Sequence, residues 1–143
     1  MTSFHVSRPP PGAAELQRWP LTGGNELRSL RISLNRCLAD LTPLPTDLRE
    51  DFGGRLLLVA TELATNALQH GTPPAIIRLS SQDEYLILDV SDSDLTSRPH
   101  LTDPVVAGCR GRGLMISQSL SSRIGWYQTP TAKHTWAAFL YPS

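Results

Sequence analysis

The chain has 143 residues, with 13 Lys plus Arg against 13 Asp plus Glu. That length suits one domain, which buries about 68–70% of its unfolded surface and needs no disulfide or metal staple. A net charge of zero excludes bulk attraction to nucleic acid or to an anionic membrane, so direct contact with either is not expected. Cys37 and Cys109 have no nearby Cys or His at zinc-ligand spacing. With no secretory signal, two reduced thiols in a cytoplasmic protein are expected. No apolar run reaches the ~18 residues of a membrane span.

In chain order, residues 1–13 hold Pro9-Pro10-Pro11 and Gly12, which predict a disordered or loosely docked arm before a single domain over 14–143. Glu15 to Leu21 alternates weakly and reads as an edge strand, because Pro20 limits its pairing. Gly23-Gly24-Asn25 supplies a turn and a helix start. From Glu26 to Leu41, Leu27, Leu30, Leu34, Cys37, Leu38 and Leu41 recur at helical spacing, and Pro43 and Pro45 stop the helix. Thr46 or Asp47 caps a second helix that runs to about His70, with Gly53-Gly54 as its weak spot. Gly71 and Pro73-Pro74 end it.

The period then changes to two. Ala75 to Ser80 and Tyr85 to Ser91 read as a hairpin, turning over Ser81 to Glu84. Ser91 to Arg110 has little periodicity, and a loop of that length inside a compact domain is usually a lid or disordered. Gly111-Arg112-Gly113 opens a third helix, with Leu114, Ile116 and Leu120 inward. Strands near Ser122 to Gln128 and Lys133 to Tyr141 follow, turning at Thr129-Pro130. This order predicts the α+β class: a two-layer sandwich with helices on one face of a mixed, largely antiparallel sheet.

Three motifs carry chemistry. Glu62, Asn66 and His70 are spaced four apart at the end of the second helix, so one face presents all three beside the apolar Leu56, Val59, Leu63 and Ala67. An amide oxygen at Asn66 suits Mg²⁺, and a carboxylate one turn earlier is placed to deprotonate a hydroxyl or water. The plainer alternative is a solvated helix face. Asp92 ends a buried-looking strand and is placed to accept a hydrogen bond from an exocyclic amine, or else to cap a turn. Gly111 and Gly113 let a backbone approach a phosphate at a helix start, with Arg110 and Arg112 adding charge; the alternative is a glycine turn. The pattern of a Walker-type loop is absent.

The combination of Glu62-Leu-Ala-Thr-Asn66-Ala, Val90-Ser-Asp92 with Pro99 downstream, Gly111-Arg-Gly113-Leu and the ending Lys133-His-Thr-Trp136-Ala resembles the GHKL ATP-binding family. The nearest resemblance is to the bacterial anti-sigma-factor serine kinases and their actinobacterial relatives, from about Arg18 to Leu140. It implies a Bergerat-type ATP-binding fold that takes ATP with Mg²⁺. Asn66 would hold the metal against the phosphates, Glu62 would be the general base, and Asp92 would bind the adenine amino group. Gly111 and Gly113 would shape the phosphate loop, and 93–110 would form the lid. His70 and Arg112 would be secondary phosphate contacts, although a histidine at a helix C-terminus also pairs with free carbonyls.

Two positions depart from the family pattern: Asp94 stands where Gly is usual in Asp-x-Gly, and Ala132 replaces the Gly of Gly-Lys. A side chain at 94 is expected to crowd the adenine pocket and place a negative charge near a polyanion. Asp92 and Asp94 as a two-carboxylate hydrolase is a further alternative, weakened because residues at a strand end diverge. The expected function is an ATP-binding regulator acting on a sigma factor or phosphorylating a serine of an anti-anti-sigma protein, with a homodimer by analogy. The rival is an interaction module with weak or lost nucleotide binding. At this length a complete sensor histidine kinase is not expected.

Overall fold

The computed structural model describes residues 6–41, 46–96 and 121–140. Strand β1 covers Ala14–Leu21, helix α1 Leu27–Leu41, helix α2 Thr46–His70, and strands β2 to β5 cover Ala75–Gln82, Tyr85–Asp92, Arg123–Gln128 and Lys133–Leu140. The five strands form one sheet in the order β1-β2-β3-β5-β4, and every neighbouring pair is antiparallel. The class is therefore α+β, as the element order predicts, but the mixed sheet expected from sequence is not what the described strands form. The reason is the connections. β2–β3 and β4–β5 are hairpins, and β1 reaches β2 through two helices in series, which return the chain to the end of the sheet it left. The third helix expected from Gly111 lies outside the described residues.

Local chemistry sets the element ends. Before α1, Gly24–Glu26 form a 3-10 turn, and the Glu26 carboxylate accepts the Thr22 amide at 2.7 Å, the Thr22 hydroxyl at 2.8 Å and the Gly23 amide at 3.2 Å. These bonds hold the Glu26 carboxyl below its ordinary range, the Thr22 amide contributing most. The Gly53-Gly54 pair does not break α2, which runs unbroken for 25 residues. Packing explains this: Phe52 beside the pair is 1% exposed and meets Phe139 edge to face at 6.5 Å. The β2–β3 turn is two residues, and Asp83 takes φ +52, a conformation Asp tolerates better than most side chains.

The core lies between the helices and one sheet face. Leu30, Leu34 and Leu38 of α1, with Leu56, Val59, Ala60, Leu63 and Ala64 of α2, pack on Ile77, Leu79, Leu86, Leu88, Val90, Ala137 and Phe139. The opposite face buries Ile87, Trp136 and Ala138. There, part of the amino-terminal arm is docked. Val6 bridges Trp126 in parallel, the Ser7 amide donates to the Trp126 carbonyl at 2.8 Å, and the Trp136 indole donates to the Ser7 carbonyl at 2.8 Å. Gly125 leaves room beneath it: a Cβ there would make the Ser7 hydroxyl turn away and would stand 3.0 Å from the Trp136 ring.

Under the arm lies a polar network that the sequence does not advertise. The Asp89 carboxylate accepts from the Tyr127 hydroxyl at 3.0 Å and pairs with His134 Nδ1 at 2.7 Å, which fixes the proton on Nδ1 when the ring is neutral. Tyr127 and His134 stack with centroids 4.5 Å apart, and the Arg8 guanidinium sits 4.6 Å over the Tyr127 ring. Burial, then the Asp89 charge, push the Tyr127 phenol far above its ordinary value of 10. A raised acid favours the protonated folded state. Its contribution is therefore complete below pH 10 and is lost as pH rises beyond the unfolded value. Alkaline titration should show one tyrosine ionising well after the others, with unfolding setting in as it does. In Tyr127→Phe that late step should vanish, and stability at neutral pH should fall by about 1–3 kcal/mol because Asp89 loses a donor.

Candidate functional site at the junction of α2 and β3

Alternation along β3 decides where Asp92 points. Leu86, Leu88 and Val90 face the helices, so Asp92 does too, while Ile87, Asp89 and Ser91 face the other way. Asp92 is 5% exposed. Its carboxylate meets the end of α2: Oδ1 accepts the Thr72 amide at 3.4 Å and the Asp94 amide at 2.8 Å. The Asp94 bond is the turn-capping role weighed for Asp92 from sequence, and the Thr72 bond adds a long-range tie. A second stitch runs from the Ser93 amide to the Thr72 carbonyl at 3.3 Å.

Gly71 makes the junction close. Its amide closes the last helical turn on the Ala67 carbonyl at 2.9 Å. A Cβ on residue 71 would stand 2.4 Å from Asp92 Cγ and Oδ2 and 2.7 Å from the Ala67 oxygen. Only glycine lets the helix end touch that carboxylate.

Asn66 lies on the same side of the sheet as Asp92. At 1.5 Å per residue it sits about 7.5 Å along the α2 axis from Gly71, and Glu62 about 13.5 Å. Asn66 and Glu62 are half-buried and His70 is exposed. None of the three side chains makes a hydrogen bond to another described residue, so the Asn66 amide oxygen is not committed within this part of the fold. The neighbouring Leu63 and Ala67 are buried. The column therefore runs along the edge of the packed face, a position between the site and the solvated face that the spacing alone left open. Gly111, Arg112 and Gly113, and the expected lid from residue 97 onward with Pro99, lie outside the described residues.

Lys133 is the residue whose part in this site the sequence reading did not foresee. It pairs in register with Asp92 across the β3–β5 ladder and is 6% exposed. Its ammonium stands 3.7 Å from Asp92 Oδ2 and 3.7 Å from Asp94 Oδ2. The expected unbalanced charge at Asp94 is thus answered by a lysine. Asp94 Oδ1 also accepts the Thr96 amide at 3.0 Å and hydroxyl at 2.7 Å, fixing its direction. A signal for Lys133 was present: Ala137 and Phe139 are apolar and two apart, so the same alternation carries residue 133 to the helix face.

No protein-family model matches the chain, and no curated protein is similar to it. Among the described residues no cluster of three or more His, Cys, Asp or Glu could hold a metal ion. Mg²⁺ that keeps most of its waters needs only one or two protein oxygens, so Asn66 as a single ligand is chemically consistent with that arrangement. No described helix is long and apolar enough to cross a membrane. Cys37 is half-buried, and burial raises its thiol above the ordinary value.

Two glycines of one segment should answer oppositely to the same substitution. Gly71→Ala drives a methyl into the Asp92 carboxylate and should destabilise by about 1–3 kcal/mol, the scale of overpacking. Gly54→Ala meets nothing within 4 Å on α2 and should stabilise by about 0.5–1 kcal/mol. Denaturant titration of both variants measures the contrast; equal effects would show that Gly71 is only a helix stop.

Proposed function

We propose that the chain binds ATP together with Mg²⁺ at the junction of α2 and β3, as a regulator of the anti-sigma type. The observation that supports this most directly is Asp92: a buried carboxylate, facing the helix layer, held by two backbone amides and packed against Gly71 at the end of the helix that carries Asn66 and Glu62. A carboxylate fixed in that way is a preorganised acceptor for an exocyclic amine, because its orientation is already set before a ligand arrives. Asn66 would supply one oxygen to the metal ion, which in turn would neutralise phosphate charge.

Glu62 stands one helical turn before Asn66, where a carboxylate can take a proton from a serine hydroxyl of a protein substrate. In the transfer the hydroxyl oxygen would attack the terminal phosphorus, the bond to the bridging oxygen would break, ADP would leave and the proton would pass to Glu62. The acceptor would be an anti-anti-sigma protein, with a sigma factor as the bound target, and a Bergerat-type layer arrangement would underlie both. The second reading, an interaction module with weak nucleotide binding, is favoured by Lys133, which already sits beside the Asp92 oxygen that adenine would use.

Calorimetry with ATP, with and without Mg²⁺, tests the binding claim. Asp92→Asn should weaken ATP by about 10- to 140-fold, the equivalent of a charge-assisted hydrogen bond of about 1.5–3 kcal/mol. Asn66→Ala should remove the Mg²⁺-dependent part of the affinity. Wild-type protein that binds no ATP under either condition ends the reading.

Glu62 separates catalysis from binding. Glu62→Ala should leave ATP affinity nearly intact and slow phosphate transfer to an acceptor serine by about 10²–10⁴, since a base acts on a proton that moves only in the transition state. Transfer at the wild-type rate would make Glu62 an ordinary helix-face carboxylate. ATP binding with no transfer to any serine-bearing partner favours the module.

A further inference from the structure

We propose that Lys133 is an internal competitor for the Asp92 carboxylate, and that Asp94 is its alternative counter-ion. A bound amino group would take Asp92 Oδ2 while the Lys133 ammonium moves onto Asp94. This inference rests on the ATP reading and deepens it, by naming what sets the affinity and why an aspartate stands at position 94.

One oxygen of Asp92 is left for a ligand. Oδ1 already accepts two backbone amides, from Thr72 and Asp94. Oδ2 is left, and among the described residues its charged neighbour is Lys133. At 3.7 Å that pair is an ion pair without a close hydrogen bond, and the same ammonium is 3.7 Å from Asp94 Oδ2. One cation is therefore shared evenly between two carboxylates, committed to neither.

Burial makes the sharing consequential. The side chains of Lys133, Asp92 and Asp94 are 7%, 4% and 15% exposed, so water screens this triad poorly. An ammonium displaced from Asp92 with no other anion at hand would be a buried, unpaired charge, which costs several kcal/mol. With Asp94 alongside, the lysine keeps a partner throughout. Its ammonium is a point charge with three rotatable donors on a flexible four-carbon stem, so a short shift needs no rearrangement of the strand. Asp94 already lies at the same distance from that ammonium, and its other oxygen is fixed by the Thr96 amide and hydroxyl.

A glycine at 94 would leave Lys133 tied to Asp92 alone. The side chain that looked from sequence like an obstacle to the ligand is instead what keeps Asp92 available. The sign of the expected effect reverses: neutralising Asp94 should weaken ATP, not strengthen it.

The test is a double-mutant cycle read by ATP calorimetry, with thermal unfolding to confirm that each protein is folded. Asp94→Asn keeps the oxygen that accepts from Thr96 and removes the charge. It should weaken ATP by about ten-fold, because Lys133 then occupies Asp92 most of the time. Asp94→Ser serves the same purpose if the Asn variant does not fold. In the Asp94→Asn/Lys133→Met protein the competitor is gone, and affinity should return to the wild-type value or better. A merely structural role for Lys133 would not produce that rescue. Asp94→Asn that binds ATP as tightly as wild type, or a loss that persists when Lys133 is absent, overturns the inference while leaving the binding site in place. Wild-type protein that binds no ATP removes the site itself, and the inference with it.

Discussion

The close approach of α2 to the sheet is the constraint on which the rest depends. Ala60, Ala64 and Ala67 follow one another down the buried face of the helix, between Leu56, Val59 and Leu63. Small side chains let a helix lie low on the strands, where Ile77, Leu79, Leu88 and Val90 fill the remaining space. The geometry carries through to the helix end. There Gly71 replaces a side chain by open backbone, and the Asp92 carboxylate fills the space. A bulkier residue at any of these positions would lift the helix and separate Asn66 from Asp92.

Period two along β3 and β5 divides the charged residues between the two faces. Asp92 and Lys133 face the helices, while Asp89 and His134, an odd number of positions away, face the docked arm. Each face thus holds its own compensated cluster. On the outer face, every oxygen of Asp89 has a partner, in His134 and Tyr127, and the network is closed. On the helix face, one oxygen of Asp92 is saturated and the other is only loosely paired. Closed networks rigidify a fold, and a loosely paired buried carboxylate is the kind of group that takes part in binding. That difference sets the two clusters apart, although each is built around an aspartate of β3.

The edges of the sheet are protected in different ways. β1 carries Pro20 and an irregular register between Glu15 and Gln17. Glu15 also forms an ion pair with Arg18 at 2.8 Å, which lowers the Glu15 carboxyl, although both side chains are too exposed for this to stabilise much. β4, at the opposite edge, is capped by the chain itself through Val6 and Ser7. Both devices interrupt strand edges that would otherwise template aggregation.

The sequence by itself determined the described elements and their order. The leucine spacing of α1, the proline stop after it, the helix running to His70 and the four later strands all follow from periodicity and turn chemistry, which are local properties. It also determined that Glu62, Asn66 and His70 share a helix edge, since helical spacing alone brings them together. Tertiary structure decided what is close to what across the fold. The all-antiparallel sheet depended on two helices returning the chain to its starting edge. The docking of Ser7 on Trp136, 129 positions apart, depended on the arm lying alongside β4. The meeting of Asp92, Asp94 and Lys133 depended on the pairing of β3 with β5, a register between segments 41 positions apart that no local signal fixes. For that reason Asp94, read from sequence as a misplaced charge, turned out to be one half of a shared ion pair.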